Sequence, residues 1–139
     1  MNSSAVFVDT AAWIGLLNER DNLHLPARRV MDQLRQENTP LVTTEFVLLE
    51  VADALSQPVV RLKTVKFIES IFQVPSLKIV PISQSLWLQG WTLYKQRQDK
   101  DWGLTDCISF TVMKQEKIDR AFTSDRHFEQ AGFITLLVA

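Results

Sequence analysis

The sequence lacks the features that would place the protein among secreted or membrane proteins. It has a single cysteine, Cys107, which cannot form an internal disulfide and whose apolar neighbours predict a packed thiol rather than a nucleophile. No apolar run approaches the roughly 20 residues needed to span a bilayer, and the first residues lack the charged segment of a signal peptide. We therefore expect a soluble, cytoplasmic protein with no membrane partner.

An excess of charge of one sign is also missing. The formal net charge is −1, which argues against a strongly basic surface. Any contact with nucleic acid must therefore come from a local patch rather than from global attraction. Lys95, Arg97 and Lys100 form one such patch and are candidate RNA contacts, although most charged loops are simply solvated.

What is present suffices for one folded domain. The chain has 139 residues, of which 46% are hydrophobic, so it can bury a core without disulfides, and we expect a single domain over residues 1–139. Short apolar runs alternate with stretches that carry apolar residues at helical spacing. This alternation predicts an α/β protein with three α/β/α layers and a mainly parallel central sheet of about five strands.

The element boundaries follow from the same patterns. Thr44, Ser83 and Thr105 are predicted N-caps of three of the helices, and Gly132 is predicted to close the last helix. The predicted strands are residues 5–8, 41–43, 77–82, 120–123 and 133–138.

Four carboxylates stand where these elements would deliver them to one place. Asp9 follows the first predicted strand directly, and Asp125 closely follows the fourth. Ligands of open α/β sheets bind outside the carboxyl ends of the strands, so these two acids are expected to converge. Asp106 falls in the first turn of a strongly apolar helix, and Glu50 lies in the middle of another helix.

Each acid also has a purely structural explanation. Asp9 and Asp125 are suited to cap helices, and Glu50 fits a solvated helix face. Carboxylates that converge, however, repel one another and take up protons unless a divalent cation compensates them. Oxygen ligands without clustered histidine or cysteine favour Mg²⁺ or Mn²⁺ over zinc, and these cations suggest phosphate chemistry.

Some other residues that often carry function support weaker predictions. His24 and His127 are isolated in the sequence, so neither is given a catalytic role. Trp87, Trp91 and Trp102 could stack on bases, but aromatic residues along an amphipathic helix are more often core or subunit interface, which we favour.

One more acid, Asp101, is kept in reserve as an additional metal ligand if its loop folds back.

With these acids in place, the chain resembles the PIN-domain family over nearly its full length, and within it the VapC-like toxin ribonucleases of bacterial toxin-antitoxin modules. The motifs that carry the resemblance form a strong signal together and a weak one singly. They are Val6-Phe7-Val8-Asp9-Thr10 and residues 43–51, 103–110 and 121–128. The family often has a serine after Asp-Thr, whereas this chain has Ala11, so a hydroxyl group is missing there.

The resemblance implies a homodimeric ribonuclease that uses Mg²⁺ or Mn²⁺ and has RNA as substrate and a cognate antitoxin protein as partner. Its catalytic, metal-binding acids would be Asp9, Glu50, Asp106 and Asp125. Thr10 or Thr123 would hold a carboxylate or a water behind them. Either Glu50 or Asp106 would orient the attacking water, and the number of metal ions stays open.

Three alternatives remain at this point. One is a PIN-domain nuclease of RNA processing that is not a toxin, and another is a PIN-like binding module without catalysis, which the presence of all four acids disfavours. The third is a receiver-like signalling module. Such a module normally has a pair of acids after its first strand and a lysine after a late strand, whereas Asp9 stands alone and residues 133–139 contain no lysine.

Overall fold

The computed structural model describes residues 4–138 and consists of one parallel sheet with helices on both faces. The strands are β1 (Val6–Val8), β2 (Leu41–Thr44), β3 (Leu77–Val80), β4 (Arg120–Phe122) and β5 (Ile134–Thr135). The helices are α1 (Thr10–Leu17), α2 (His24–Gln36), α3 (Glu45–Ala54), α4 (Pro58–Ile71), α5 (Gln84–Gln96), α6 (Leu104–Gln115) and α7 (Arg126–Gln130). The predicted α/β/α fold with five parallel strands is confirmed, whereas the single-domain organisation over residues 1–139 stays a prediction.

The order of the strands in the sheet is β3-β2-β1-β4-β5. The chain therefore builds outward from β1 in one direction and then returns to add β4 and β5 on the other side. β1 is the central strand, and all three of its residues are fully buried, which is why it reads as a continuous apolar run. Val8 pairs with Phe122 of β4, so the carboxyl ends of β1 and β4 lie side by side where the order reverses.

Two of the three predicted N-caps are present. The Thr44 hydroxyl accepts a hydrogen bond from the amide of Val47 at 3.0 Å, and the Ser83 hydroxyl accepts one from the amide of Leu86 at 3.1 Å. The prediction for Thr105 is wrong, because α6 already begins at Leu104.

The predicted last strand is also too long. Only Ile134–Thr135 forms β5, because this edge strand pairs with the short β4 alone. The amides of Leu136 and Leu137 still donate to the carbonyl groups of residues 121 and 123, so hydrogen bonding to the β4 segment continues just past the end of β5.

The core contains Cys107 as a fully buried thiol, as predicted, and burial raises its pKa to about 11. Trp102 is also in the core, where its ring packs edge-on against Phe110. A core position for Trp87 and Trp91 is wrong, because their side chains are 46% and 40% exposed. The helical spacing of these aromatic residues suggests burial, but α5 packs on α6 through other residues, so its aromatic face is exposed to solvent.

Candidate metal centre

The first two acids lie at the reversal of strand order because of the strands that precede them. The backbone amide of Asp9 donates to the carbonyl of Phe122 at 3.2 Å, which fixes the end of β1 against the end of β4. Asp9 is buried, and Asp125, just beyond β4, is partly buried. The parallel pairing thus brings together two carboxylates that are 116 positions apart in the chain.

A single hydroxyl group joins these two positions. The Thr123 hydroxyl donates to Asp9 Oδ2 at 2.9 Å and accepts from the Asp125 amide at 3.1 Å. Thr123 is fully buried, so both bonds are protected from water. Thr123 therefore fixes the Asp9 carboxylate relative to the loop that carries Asp125.

Glu50 reaches the same region from α3. The Thr10 hydroxyl donates to Glu50 Oε1 at 2.5 Å, so the first residue of α1 holds a carboxylate of α3. Because Thr10 directly follows Asp9, this bond places Glu50 near Asp9, and the negative charge of Glu50 makes a small contribution to raising the pKa of Asp9. Glu50 is itself exposed and stands at the open edge of the cluster.

Asp106 enters from the first turn of α6. Its Oδ2 accepts hydrogen bonds from the Gly103 amide at 3.2 Å and from His127 Nδ1 at 2.9 Å. The first of these bonds explains why α6 begins earlier than predicted: the acid at the third helical position caps Gly103 instead of leaving that role to Thr105.

The treatment of His127 as isolated is wrong. Its Nδ1 lies 2.9 Å from Asp106 Oδ2 and 3.4 Å from Asp125 Oδ1, and its Nε2 lies 3.3 Å from Asp101 Oδ1. Ligand atoms of Asp106, Asp125 and His127 all lie within 4.8 Å of one another. The expectation of a cluster without histidine is therefore wrong as well.

The sequence carried one weak signal for this contact. Asp125 caps α7 by accepting the His127 amide at 2.9 Å, which places a histidine two residues after a strand-end acid in the first turn of the helix. Its partner Asp106 is 21 positions away, so spacing alone does not reveal the pair.

Asp101 does fold back toward the cluster, as its loop would allow. Its side chain is 91% exposed and contacts only the outer nitrogen of His127 among the described ion pairs. The second histidine, His24, lies elsewhere and bonds through Nδ1 to the carbonyl oxygen of Gly15 at 2.8 Å, which ties α2 to α1. Its lack of a catalytic role therefore stays the prediction.

The electrostatics of the cluster show too little positive charge for its acids. Burial raises the pKa of Asp9 to about 7. Hydrogen bonds from the backbone amide of Thr10 and the hydroxyl of Thr123 partly oppose this rise, and the charges of Asp106 and Glu50 add to it. Among residues 4–138, Asp9 has no ion-pair partner. Burying a carboxylate without a partner is costly, so the group must either keep its proton or meet a cation.

Asp106 and His127 are coupled to each other. Burial raises the pKa of Asp106, while the hydrogen bond from His127 lowers it and the charge of Asp125 raises it. The same hydrogen bond raises the pKa of His127, with added contributions from the charges of Asp125, Asp106 and Asp101. When it is protonated, the imidazole is the one positive charge within the described cluster, and it lies at the Asp106 and Asp125 end rather than beside Asp9.

This donor set fits a hard divalent cation. Carboxylate oxygens are the ligands that Mg²⁺ and Mn²⁺ prefer, and the residues that would hold such an ion are Asp9, Asp106 and Asp125, with Glu50 at the open edge. An ion there would compensate the negative charge of these carboxylates. A neutral imidazole nitrogen is also a metal ligand, so with His127 the donor set would not be oxygen-only.

The basic patch lies beside this cluster. Arg97 is largely occupied, since its guanidinium makes two bonds to Asp99 at 3.0 and 3.1 Å and lies 4.9 Å from the centroid of the Trp102 ring. Lys95 and Lys100 form no ion pair within residues 4–138. A cavity of about 510 Å³ opens at this loop, and its lining includes Arg97, Lys100 and the reserve acid Asp101.

Fold and site together define the class: an α/β/α protein with a carboxylate cluster at the point where the order of its parallel strands reverses. The family model of the PIN domain matches residues 6–134, and the chain therefore belongs to the PIN-domain family. This confirms the resemblance drawn from the motifs. None of the helices described between residues 4 and 138 is long and apolar enough to cross a bilayer.

The chain is similar to a characterised relative, the 23S rRNA-specific endonuclease VapC20 of Mycobacterium tuberculosis. The two are 28% identical over 140 residues, which cover 93% of this chain and 95% of the relative. The crystal structure of VapC20, described as a toxin that cleaves the sarcin-ricin loop, matches with a TM-score of 0.81 and 26% identity over 94% of this chain and 97% of that one.

Two more distant solved structures share the fold. VapBC2 from Rickettsia felis, crystallised with a DNA fragment from its promoter, matches with a TM-score of 0.69 and 13% identity, covering 94% of this chain and 96% of that one. FitAcB from Neisseria gonorrhoeae matches with a TM-score of 0.65 and 17% identity, covering 94% and 95%.

Proposed function

We propose that this protein is an Mg²⁺- or Mn²⁺-dependent endoribonuclease and the toxin of a type II toxin-antitoxin pair. The observation that carries the proposal is the buried Asp9, which lacks a cationic partner among the described residues and lies in one cluster with three other acids. The likeness to VapC20 over nearly the whole of both chains supports RNA as the substrate.

The proposed roles follow from the contacts of each acid. Asp9, Asp106 and Asp125 bind the cation, and Thr123 keeps Asp9 and the Asp125 loop in register. A bound Mg²⁺ or Mn²⁺ supplies polarisation of the scissile phosphate and a lowered pKa for an attacking water. No side-chain nucleophile is needed, and the buried thiol of Cys107 takes no part.

Glu50 is the better placed of the two acids proposed to orient the attacking water. Asp106 Oδ2 already accepts two hydrogen bonds, whereas Glu50 is exposed at the open edge and is held by Thr10 through one oxygen. Glu50 can therefore accept a proton from a water that approaches from solvent. His127 acts as a positioning residue that holds Asp106 toward Asp125.

The experiment is RNA cleavage by Asp9→Asn and Asp125→Asn variants. Substrates are a stem-loop RNA that copies the sarcin-ricin loop and an unstructured RNA, each with Mg²⁺, with Mn²⁺ or with chelator. We expect cleavage only with a divalent cation, and a loss of at least about a hundredfold in either variant, because charge stabilisation at the phosphate depends on the bound ion. Asparagine preserves the shape of each side chain, so both variants should keep the far-ultraviolet circular dichroism of the parent.

A matched control comes from the same helix as Glu50. Asp53 is an exposed acid of α3 outside the cluster, so Asp53→Asn should cleave at the parental rate while Glu50→Gln should not. Cleavage that survives unchanged in both Asp9→Asn and Asp125→Asn would defeat the nuclease proposal and favour the binding module without catalysis.

The toxin role needs a separate test because an RNA-processing nuclease would have the same active site. We propose a cytoplasmic homodimer that is held inactive by a cognate antitoxin. A short upstream reading frame that encodes a DNA-binding N-terminus and a disordered tail should restore growth when it is expressed together with this protein. Growth that is unaffected by expression of the active protein would instead favour a role in RNA processing. Membership of the PIN-domain family sets aside the receiver-like alternative.

A further inference from the structure

Helix α5 carries three aromatic rings in a row on its surface. Trp87, Trp91 and Tyr94 are spaced by one helical turn, and we call them the aromatic stripe. The Trp87 and Trp91 ring centroids are 6.2 Å apart with planes at 4°, and those of Trp91 and Tyr94 are 5.6 Å apart with planes at 17°. The three residues are between 40% and 46% exposed, so much of their ring surface faces water.

The fold does not need these rings for helix packing. α5 packs on α6 through its buried residues Leu86 and Gly90, and the approach at Gly90 is so close that a Cβ there would overlap Ile108 Cγ1. The stripe occupies the neighbouring, outer face. A large exposed aromatic surface that contributes little to the core usually marks a binding site.

The charge around the stripe favours an anionic partner. No Asp or Glu occurs between Glu69 and Asp99, so the whole of α5 is free of acidic residues. Lys95 follows the stripe directly and Lys100 lies in the loop beyond it, and neither is neutralised by an ion pair within the described chain. Exposed rings next to unpaired cations combine base stacking with attraction for phosphates, which is how proteins bind single-stranded nucleic acid.

The stripe also leads to the carboxylate cluster. Tyr94, its last ring, lines the 510 Å³ cavity together with Lys100, Asp101 and Gly103. Gly103 donates its amide to Asp106, and Asp101 contacts His127, so the far wall of this cavity is the edge of the cluster. A strand lying along α5 would therefore pass through the cavity and reach the acids.

We infer that the aromatic stripe stacks unpaired bases of the RNA strand that enters the active site, while Lys95 and Lys100 neutralise its phosphates. The inference rests on the proposed function for the identity of the ligand, and it assigns the stripe as the element that positions single-stranded RNA beside the acids. The competing occupant is a second copy of this chain, which the test below distinguishes.

The test measures binding rather than cleavage. Fluorescence anisotropy of a labelled, unstructured adenine-uracil oligonucleotide is followed in the Asp125→Asn background, with chelator, so that no hydrolysis occurs. Each stacked base contributes enough that Trp91→Ala should weaken binding about 5- to 150-fold. Trp91→Phe, which keeps an aromatic face, should recover most of the loss, and Leu88→Ala, which removes an exposed aliphatic group from the same helix, should change binding little.

An abasic oligonucleotide with the same phosphates provides the ligand-side control. It should bind the parent more weakly than the intact strand does, and Trp91→Ala should weaken its binding no further, because no base remains to stack. Equal losses on the two oligonucleotides would overturn the inference. So would a change from dimer to monomer in sedimentation of Trp91→Ala together with an equal loss for Leu88→Ala, which would assign the stripe to a contact between copies.

The outcome is separable from that of the proposed function. A parent protein that binds the strand through the stripe but cleaves no RNA would defeat the nuclease proposal alone. A protein that cleaves RNA and binds equally with and without the Trp91 ring would defeat this inference alone.

Discussion

Replacing Asp9 by asparagine should make the metal-free protein more stable while it destroys the metal site. Asp9 is 5% exposed, has no cationic partner among the described residues, and has a pKa raised to about 7. In the unfolded chain the same group titrates near 3.8. Folding therefore disfavours the charged form of this side chain. The neutral amide of the Asp9→Asn variant would remove that penalty, while its oxygen could still accept the Thr123 hydroxyl.

The sign and size follow from proton linkage. Between pH 3.8 and about 7 the folded protein holds a proton that the unfolded chain has released, so stability falls as pH rises through this window. Below the window the penalty is absent, and above it the penalty is complete. A rise of about 3 pKa units corresponds to about 4 kcal/mol in the free energy of unfolding, and the buried amide protons that Asp9→Asn introduces will reduce the net gain.

The assay is urea unfolding of parent and Asp9→Asn with chelator at several pH values between 4 and 8. The free energy of unfolding of the variant should increase relative to that of the parent as pH rises. Adding saturating Mg²⁺ in place of chelator should stabilise the parent but not the variant. Asp53→Asn, which changes an exposed acid of α3, should have the same free energy of unfolding as the parent at every pH. A parent and an Asp9→Asn variant with the same pH dependence would refute the claim that Asp9 is buried as an uncompensated acid.

Three further changes test the supporting structure. Thr123→Val should break both bonds of that hydroxyl and destabilise the protein by about 1–3 kcal/mol in urea unfolding, with about tenfold weaker Mn²⁺ binding, whereas Thr123→Ser should behave like the parent. Asp106→Asn should lower the His127 pKa, measured by NMR titration of the imidazole, because the hydrogen bond to a charged carboxylate is lost; an unmoved pKa would contradict the pairing. Gly90→Ala should cost about 1–3 kcal/mol, since its Cβ would overlap Ile108 of α6, and unchanged unfolding would show that the two helices separate easily.

The parts of the fold that the sequence predicts well are those in which local pattern and tertiary environment agree. β1 is buried on both faces, so it must be apolar throughout, and an acid directly after it stands out. Thr44 and Ser83 cap helices through bonds to amides three residues away, which is a local signal. The convergence of Asp9 and Asp125 follows from parallel pairing, which βαβ alternation implies.

The parts that sequence does not reveal depend on contacts between distant segments. His127 contacts Asp106 only because the fold brings α7 next to the start of α6. Neither segment carries a sequence pattern that predicts this contact. The exposure of Trp87 and Trp91 is hidden for a different reason: an aromatic row at helical spacing looks the same whether it faces a core or a ligand. The side of α5 that packs was set by the small residue Gly90, which periodicity of large apolar residues does not register.

The central claim is that these carboxylates bind a divalent cation, and calorimetric titration of Mn²⁺ into the purified protein near neutral pH tests it most directly. We predict saturable binding whose heat depends on the ionisation enthalpy of the buffer, because Asp9, with a pKa of about 7, releases part of its proton when the ion binds. Asp9→Asn and Asp106→Asn should abolish or greatly weaken binding, and Asp53→Asn should leave it intact. Absence of saturable binding, or equal binding by Asp9→Asn and Asp53→Asn, would contradict the metal site.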